Sequence, residues 1–250
     1  GFILDAGWID AAVDFMQRRP EVAAIEGHVC ERFARGSAFN AAAERAIEGE
    51  DGEIQSVGST AFMRADAFEA AGGFRGDLPV NETRDLCVRL RRRGEHIWRL
   101  DCAMGMRDSN LGNFSDWFAY ARRAGYEYAH GAALHGARPE RLFLREKSRA
   151  SFWGAGLPIL LALAAVGAWF AVGRLGLPFN ALAAAGGVLA AGAFIYLLRI
   201  FAIALRRGAG RPSSWAYAFL LTLGHASEAF GAWRYHFGGS RAERAKRAAA

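Results

Sequence analysis

The chain has 250 residues, long enough for one or two domains. Its three cysteines (Cys30, Cys87, Cys102) are odd in number and form no C-x-x-C or Cys/His grouping. That argues against a disulfide framework and structural zinc, and for reduced thiols on a cytoplasmic domain. The net charge of +6 gathers in runs, from Arg91 to Arg93, Arg138 to Arg149, Arg206 to Arg211 and Arg241 to Arg247. The last three border apolar segments, so anionic lipid headgroups explain them better than nucleic acid, for which the chain has no stacking or base-reading motif.

Residues 1–150 have mixed charge and ordinary globular patterning. Ile9 to Arg18 reads as an amphipathic helix, with Ile9, Ala12, Val13, Phe15 and Met16 near helical spacing and Pro20 ending it. Val22 to Val29 reads as a strand with imperfect alternation, Phe33 to Ile47 as helix or loop, and Glu48 to Glu53 as a polar turn. Ile54 to Met63 is expected to be a strand, and Arg64 to Ala71 a short helix stopped by Gly72, where a positive φ or a close backbone approach is required. A helix over Leu86 to Arg93, a strand over His96 to Leu100 and a long aromatic helix over Asn113 to His135 follow. Alternating strand and helix signals indicate an α/β domain.

Ser151 to Val172 and Phe179 to Leu205 are each long and apolar enough to cross a bilayer, with Gly173 to Pro178 as a short link. Arg199 interrupts the second close to its end, where its side chain can snorkel to the headgroups. Arg138, Arg141, Arg145, Lys147 and Arg149 precede this hairpin, and Arg206, Arg207 and Arg211 follow it, so the positive-inside rule puts both ends in the cytoplasm. Trp215 to Trp233 carries His225, Ser227 and Glu228 in its middle and reads as an amphipathic helix at the membrane interface, with a third span as the alternative. The expected organisation is a domain over 1–150, a transmembrane hairpin over 151–205, and an interfacial helix with a basic tail over 206–250.

One ordered set of motifs resembles a known family. Gly72-Gly73-Phe74 leads through a polar loop to Glu82-Thr83-Arg84-Asp85, then to Leu86-Cys87-Val88-Arg89-Leu90 and Gly94. The inverting family-two glycosyltransferases have a similar GGF turn, acidic E-D-x-D/E-L loop and x-x-R-L-x-x-x-G helix. Gly58 to Arg64 resembles the strand before that turn, Asp5 to Ile9 the segment just after the D-x-D motif, and Arg99 to Asp101 with Met104 to Leu111 the strand and loop closing the donor site. Trp117, Arg122 to Tyr126, Gly131 to Gly136 and Pro139 to Arg141 are similar to segments of the membrane-attached subgroup.

The resemblance implies the C-terminal part of a Rossmann-like A-type transferase domain, beginning at or after the D-x-D strand, with about a hundred residues expected upstream. It implies a nucleotide-sugar donor, a cell-envelope glycan or lipid-linked acceptor, and a multi-pass plasma-membrane protein with a cytoplasmic catalytic domain. Glu82 and Asp85 are implied as catalytic, Arg107, Arg122 and Arg123 as donor-phosphate contacts, and Gly72, Gly73, Phe74 and Trp117 as the acceptor pocket. A Mg²⁺ or Mn²⁺ ion is implied, touched by Asp108, with its main ligands upstream of Gly1.

The chain departs from the family in three places. Thr83 stands where the base is usual, and a hydroxyl is no general base near neutral pH. Arg107 stands where a His is common, and it pairs with phosphate but not with a cation. The Q-x-x-R-W sequence of the processive synthases is missing around Asp116 to Arg123, which favours single addition over polymerisation. The residues also have plainer readings. Glu82, Thr83 and Asp85 suit the cap of a helix beginning near Leu86, Arg107 an exposed surface, and Arg122 and Arg123 a charged membrane-facing side. A non-catalytic relative that binds a glycan or scaffolds a synthase complex is the alternative to an enzyme.

Overall fold

The computed structural model describes residues 1–47, 51–175 and 180–238. The chain forms two compact units: Gly1–Asn113 with Ala129–Phe143, and Phe114–Tyr128 with the described residues from Leu144 onward. One helix, Phe114–His135, contributes its first part to the second unit and its end to the first.

The first unit is a mixed α/β structure. Its strands are β1 (Phe2–Leu4), β2 (Val22–Glu31), β3 (Gly52–Glu53), β4 (Phe62–Met63) and β5 (His96–Arg107), in the order β1-β5-β2-β4, with β3 also on β5. The central pair, β2 and β5, is parallel; β1 and β3 pair with β5, and β4 with β2, antiparallel. Around the sheet lie α1 (Trp8–Arg18), α2 (Ala38–Ile47), α3 (Ala65–Ala70) and α4 (Glu82–Arg92).

The imperfect alternation of β2 has a simple origin. From Val22 to Gly27 the strand is buried on both faces, so that stretch has no solvent side to mark with polar residues. Ala23 and Ala24 pack with Val57, Ala67, Leu86, Cys87, Leu90 and Ile97 in one cluster. Val22 and Ile25 pack with Trp8, Ala12, Met16, Leu100 and Met104 in another. A register shift between Val22 and Ala24 lets one short strand serve both. Helix α1 contributes Trp8, Ala12 and Met16, a stripe at i, i+4 and i+8.

Several sequence expectations are corrected here. Ile54 to Met63 is not one strand: only Phe62–Met63 is extended in the sheet. Ile54 N–H bonds the Ile97 carbonyl of β5, continuing the β3 pairing, and Gly58 N–H bonds the Glu26 carboxylate at 2.7 Å. The strand expected over His96 to Leu100 continues to Arg107, because β1 and β2 both find partners along its second half. The helix expected from Leu86 begins at Glu82, with Asn81 as its N-cap, so Glu82, Thr83 and Asp85 occupy its first turn. Within Phe33 to Ile47 the helix begins at Ala38. Part of the polar turn expected over Glu48 to Glu53 falls at 48–50, outside the described residues, and Gly52–Glu53 is a strand.

The second unit is helical: the first part of α5 (Phe114–His135), α6 (Leu144–Ser151), a π-helical turn (Phe152–Gly156), α7 (Leu157–Leu175), α8 (Ala181–Arg206) and α9 (Pro212–Phe237). Two of its helices, Leu144–Leu175 and Ala181–Arg206, are long and apolar enough to span a membrane. In their most apolar windows only 6% and 11% of residues are buried by protein, which leaves side chains such as Leu163, Phe170, Phe194 and Leu197 bare. The link expected at Gly173 to Pro178 is still helical at Gly173–Leu175, and 176–178 lie outside the described residues, as does the tail from 239.

Helix α9 has its polarity turned inward. Ser214, Thr222, His225, Ser227 and Glu228 are buried, while Trp215, Phe219, Phe230, Trp233 and Phe237 are exposed. Glycines let the backbones approach. A Cβ on Gly125 would fall 1.9 Å from the Glu228 carbonyl oxygen, one on Gly231 2.0 Å from that of Arg122, and one on Gly154 1.9 Å from that of His225. Such approaches are open only to residues without a side chain.

Candidate functional site in the first unit

The double glycine is a backbone requirement. Helix α3 ends as Gly72 and Gly73 take φ of 82° and 62°, their N–H groups returning to the Glu69 and Phe68 carbonyls. Phe74 then sits edge-on to Phe68, with ring centroids 5.1 Å apart and half of its surface open. Arg75 donates two hydrogen bonds to Asp77, which hold the guanidinium above and the carboxyl below their usual ranges. Asn81 adopts φ 67° and turns the chain into α4.

Asp85 is the hub of this region. Its carboxylate is almost fully enclosed, at 1% exposure, and a buried anion must be met by opposite charge. Arg89 Nε donates to Oδ2 at 2.9 Å, and His135 Nε2 lies 2.8 Å from Oδ1. Arg75 approaches to 3.8 Å. The remaining Arg89 nitrogens bond the Ala71 carbonyl and, at 2.7 Å, the Gly73 carbonyl. Asp85 thus fixes Arg89, and Arg89 fixes the glycine turn. The arrangement can position backbone, and both Asp85 oxygens have a close partner in it.

Glu82 differs in every respect. It is exposed at the first turn of α4 and makes no hydrogen bond or ion pair among the described residues. Its neighbours are tied to other elements. Asn81 Nδ2 meets His130 Nδ1 at 3.3 Å, Arg84 lies 4.6 Å from the centre of the Phe143 ring, and Arg91 pairs with Glu140 at 2.5 Å.

Arg107 and Asp108 stand at the far end of β5, and no hydrogen bond or ion pair links them to Glu82 or Asp85 among the described residues. Arg107 Nε faces the buried Glu31 carboxylate at 3.8 Å, too long for a hydrogen bond, and that nitrogen is buried without a partner. Glu31 accepts the Ser109 amide on both oxygens at 3.2 Å. Asp108 accepts the Asn110 amide at 2.9 Å.

Asp108 belongs to no group of three metal-binding side chains among the described residues, and its neighbour Arg107 is a cation, so these residues alone do not make a divalent-ion site. The described residues bring together another group. His28 Nε2 is 2.9 Å from Asp51 and 3.4 Å from Asp101, with all the candidate ligand atoms within 4.8 Å of one another. An ordinary His–carboxylate contact accounts for this cluster of one half-buried His and two exposed Asp.

Trp117, Arg122 and Arg123 belong to the second unit. Trp117 is 6% exposed, packs on Phe114 at 5.5 Å and lies under Gly224, which makes it a core residue there. Arg122 is half-buried and Arg123 exposed.

Sequence reading singled out the turn, Glu82 and Asp85, but gave no role to Arg89 or His135. Arg89 was legible as the i+4 partner of Asp85 on a helix. His135 had no such local mark, since its partner is 50 positions away. No protein-family model matches the chain, and no curated protein matches it in sequence.

Proposed function

We propose that this protein is a membrane-anchored, inverting glycosyltransferase of the family-two kind, moving a sugar from a nucleotide-sugar donor to a cell-envelope glycan or lipid-linked acceptor. The observation that carries the reading is the division of labour between two carboxylates one helical turn apart. Asp85 is enclosed and committed to Arg89 and His135, while Glu82 is open and uncommitted. In this reading Glu82 takes the proton from the acceptor hydroxyl as its oxygen attacks the anomeric carbon. The bond from that carbon to the diphosphate breaks, the nucleoside diphosphate leaves, and the configuration inverts. Asp85, through Arg89, holds the Gly72–Gly73 turn and so the exposed Phe74 against which an acceptor ring can rest.

Arg107 is proposed to meet the departing diphosphate with its guanidinium. Arg122 and Arg123 enter the proposal on the sequence resemblance alone, as does the divalent ion. The two long apolar helices support a plasma-membrane anchor with the transferase part on the basic, cytoplasmic side.

The test is turnover by the membrane-embedded protein with a panel of nucleotide sugars, read as released nucleoside diphosphate, for wild type and Glu82→Gln. Loss by about 10²-fold or more in Glu82→Gln, with folding intact, supports the assignment. Wild type that binds a glycan yet turns over no donor favours the second reading, a non-catalytic partner, for which Thr83 in the usual place of the base is the specific observation.

A further inference from the structure

Helix α6 meets the membrane-length segment with a basic face. Arg145, Ser148, Arg149 and Phe152 recur at i, i+3, i+4 and i+7, and with Leu144 and Trp153 they line one open groove. The groove ends where the apolar part of Leu144–Leu175 begins, so it lies at headgroup depth if that helix spans a bilayer. Arg145 and Arg149 are exposed and form no ion pair with a carboxylate among the described residues, Glu146 included.

A third cation lies beneath the groove. Arg199 of α8 stacks on the Trp153 ring, 4.1 Å from its centre, and the Tyr196 hydroxyl donates to the Trp153 carbonyl at 2.5 Å. Arg199 Nη2 donates to His225 Nε2 at 2.6 Å, and a guanidinium only donates, so the His225 proton sits on Nδ1 and goes to Glu228 Oε2, also at 2.6 Å. Glu228 is therefore already taken up by the Arg199–His225 chain. Arg199 Nη1 remains buried without a partner, and the like charge of Arg149 acts on this guanidinium. Two groove arginines without an ion-pair partner among the described residues, and a third on the groove's indole, make a field that calls for an anion.

We infer that this groove is a discrete binding site for the phosphate of an anionic membrane lipid. Arg145 and Arg149 hold the phosphate oxygens, Ser148 donates its hydroxyl, and Phe152 and Trp153 lie along the start of the acyl chains. Arg199 supports the indole floor and adds its charge from below. The inference rests on the membrane anchoring proposed above and is independent of sugar transfer.

The experiment is native mass spectrometry of the full chain in neutral detergent, titrated separately with phosphatidylglycerol, phosphatidic acid and phosphatidylcholine, with inorganic phosphate as competitor. One tightly retained phosphatidylglycerol or phosphatidic acid is expected, with phosphatidylcholine weaker and inorganic phosphate unable to displace the lipid. A preference for phosphatidic acid identifies a phosphomonoester lipid as the occupant, and equal retention a bulk anionic headgroup. Arg145→Ala/Arg149→Ala should weaken retention by about tenfold or more, and the paired lysine replacements should recover part of it.

Both arginines are exposed, so the fold should survive, and an unchanged melting curve checks that. Equal loss in Arg206→Ala/Arg207→Ala would show general attraction to basic ends and overturn the inference. So would unchanged retention in the groove variant, or displacement by inorganic phosphate. A chain that never enters the membrane fraction defeats the anchoring reading itself; one that enters and retains no lipid defeats only the groove.

Discussion

His135 and Asp85 are 50 positions apart, yet the imidazole Nε2 lies 2.8 Å from the Asp85 carboxylate, with both side chains at or below 10% exposure. One comes from the end of α5 and the other from the first turn of α4. Their contact joins the end of the long helix to the segment that carries Glu82. It also completes the enclosure of the Asp85 carboxylate, which is 1% exposed.

Replacing Asp85 with Asn should therefore act on stability before it acts on chemistry. The amide keeps the volume but leaves the Arg89 guanidinium, 23% exposed, without its charge partner. Removing one member of a buried pair costs about 3 kcal/mol or more. Thermal or denaturant unfolding should show this loss for Asp85→Asn. Glu82→Gln, whose carboxylate is exposed and unpaired among the described residues, should melt as wild type does.

His135→Ala should loosen the same hub by a smaller amount. Arg89 remains on Asp85, so the carboxylate keeps its main counter-charge and loses one hydrogen bond. A cost of about 1.5 to 3 kcal/mol is expected for a bond to a charged group. If the imidazole were a proton carrier in turnover, the variant would alter the pH profile of activity. If it only positions Asp85, as the geometry argues, activity should fall uniformly with the loss of fold and recover at lower temperature.

The contrast between Asp85 and Glu82 shows how much was legible beforehand. The turn, the acidic first turn and the amphipathic α4 all follow from local rules: glycine for positive φ, acids at a helix N-terminus and apolar positions three and four apart. Which carboxylate is enclosed depends on His135 and on the glycine-turn carbonyls, and long-range packing leaves no periodic mark in the chain. The same limit explains Ile54 to Met63. Its apolar residues suit a strand, but Ile54 only continues the β3–β5 pairing through the Ile97 carbonyl, and the Glu26 side chain takes the Gly58 N–H. Helix α9 was legible as amphipathic; that its polar side faces inward, where Gly125 and Gly154 admit its backbone closely, was not.

Those close approaches are testable. Gly231→Ala places a methyl 2.0 Å from the Arg122 carbonyl, and Gly154→Ala places one 1.9 Å from the His225 carbonyl. The opposing atoms are backbone, so the helices themselves must shift, at a cost of about 1 to 3 kcal/mol each. Gly186→Ala, with nothing within 4 Å of its Cβ, should be neutral or slightly stabilising. Melting of the detergent-solubilised protein should separate the first two variants from the third.

Thiol reactivity gives a pH test of the first unit. Cys87 is fully buried, and burial pushes its thiol above the ordinary range. Cys102 is raised as well, first by burial and then by the negative charges of Asp101, Asp5 and Asp51. The thiolate is the reactive form, so a raised value lowers reactivity at neutral pH and moves its onset to higher pH. Cys30 is exposed. Alkylation by iodoacetamide, followed by peptide mass, should modify Cys30 first, Cys102 only as the pH is raised, and Cys87 only on unfolding. Rapid neutral-pH labelling of Cys87 would mean that the Ala23–Leu86–Ile97 cluster opens in solution, and with it the packing that holds α4 and Glu82 in place.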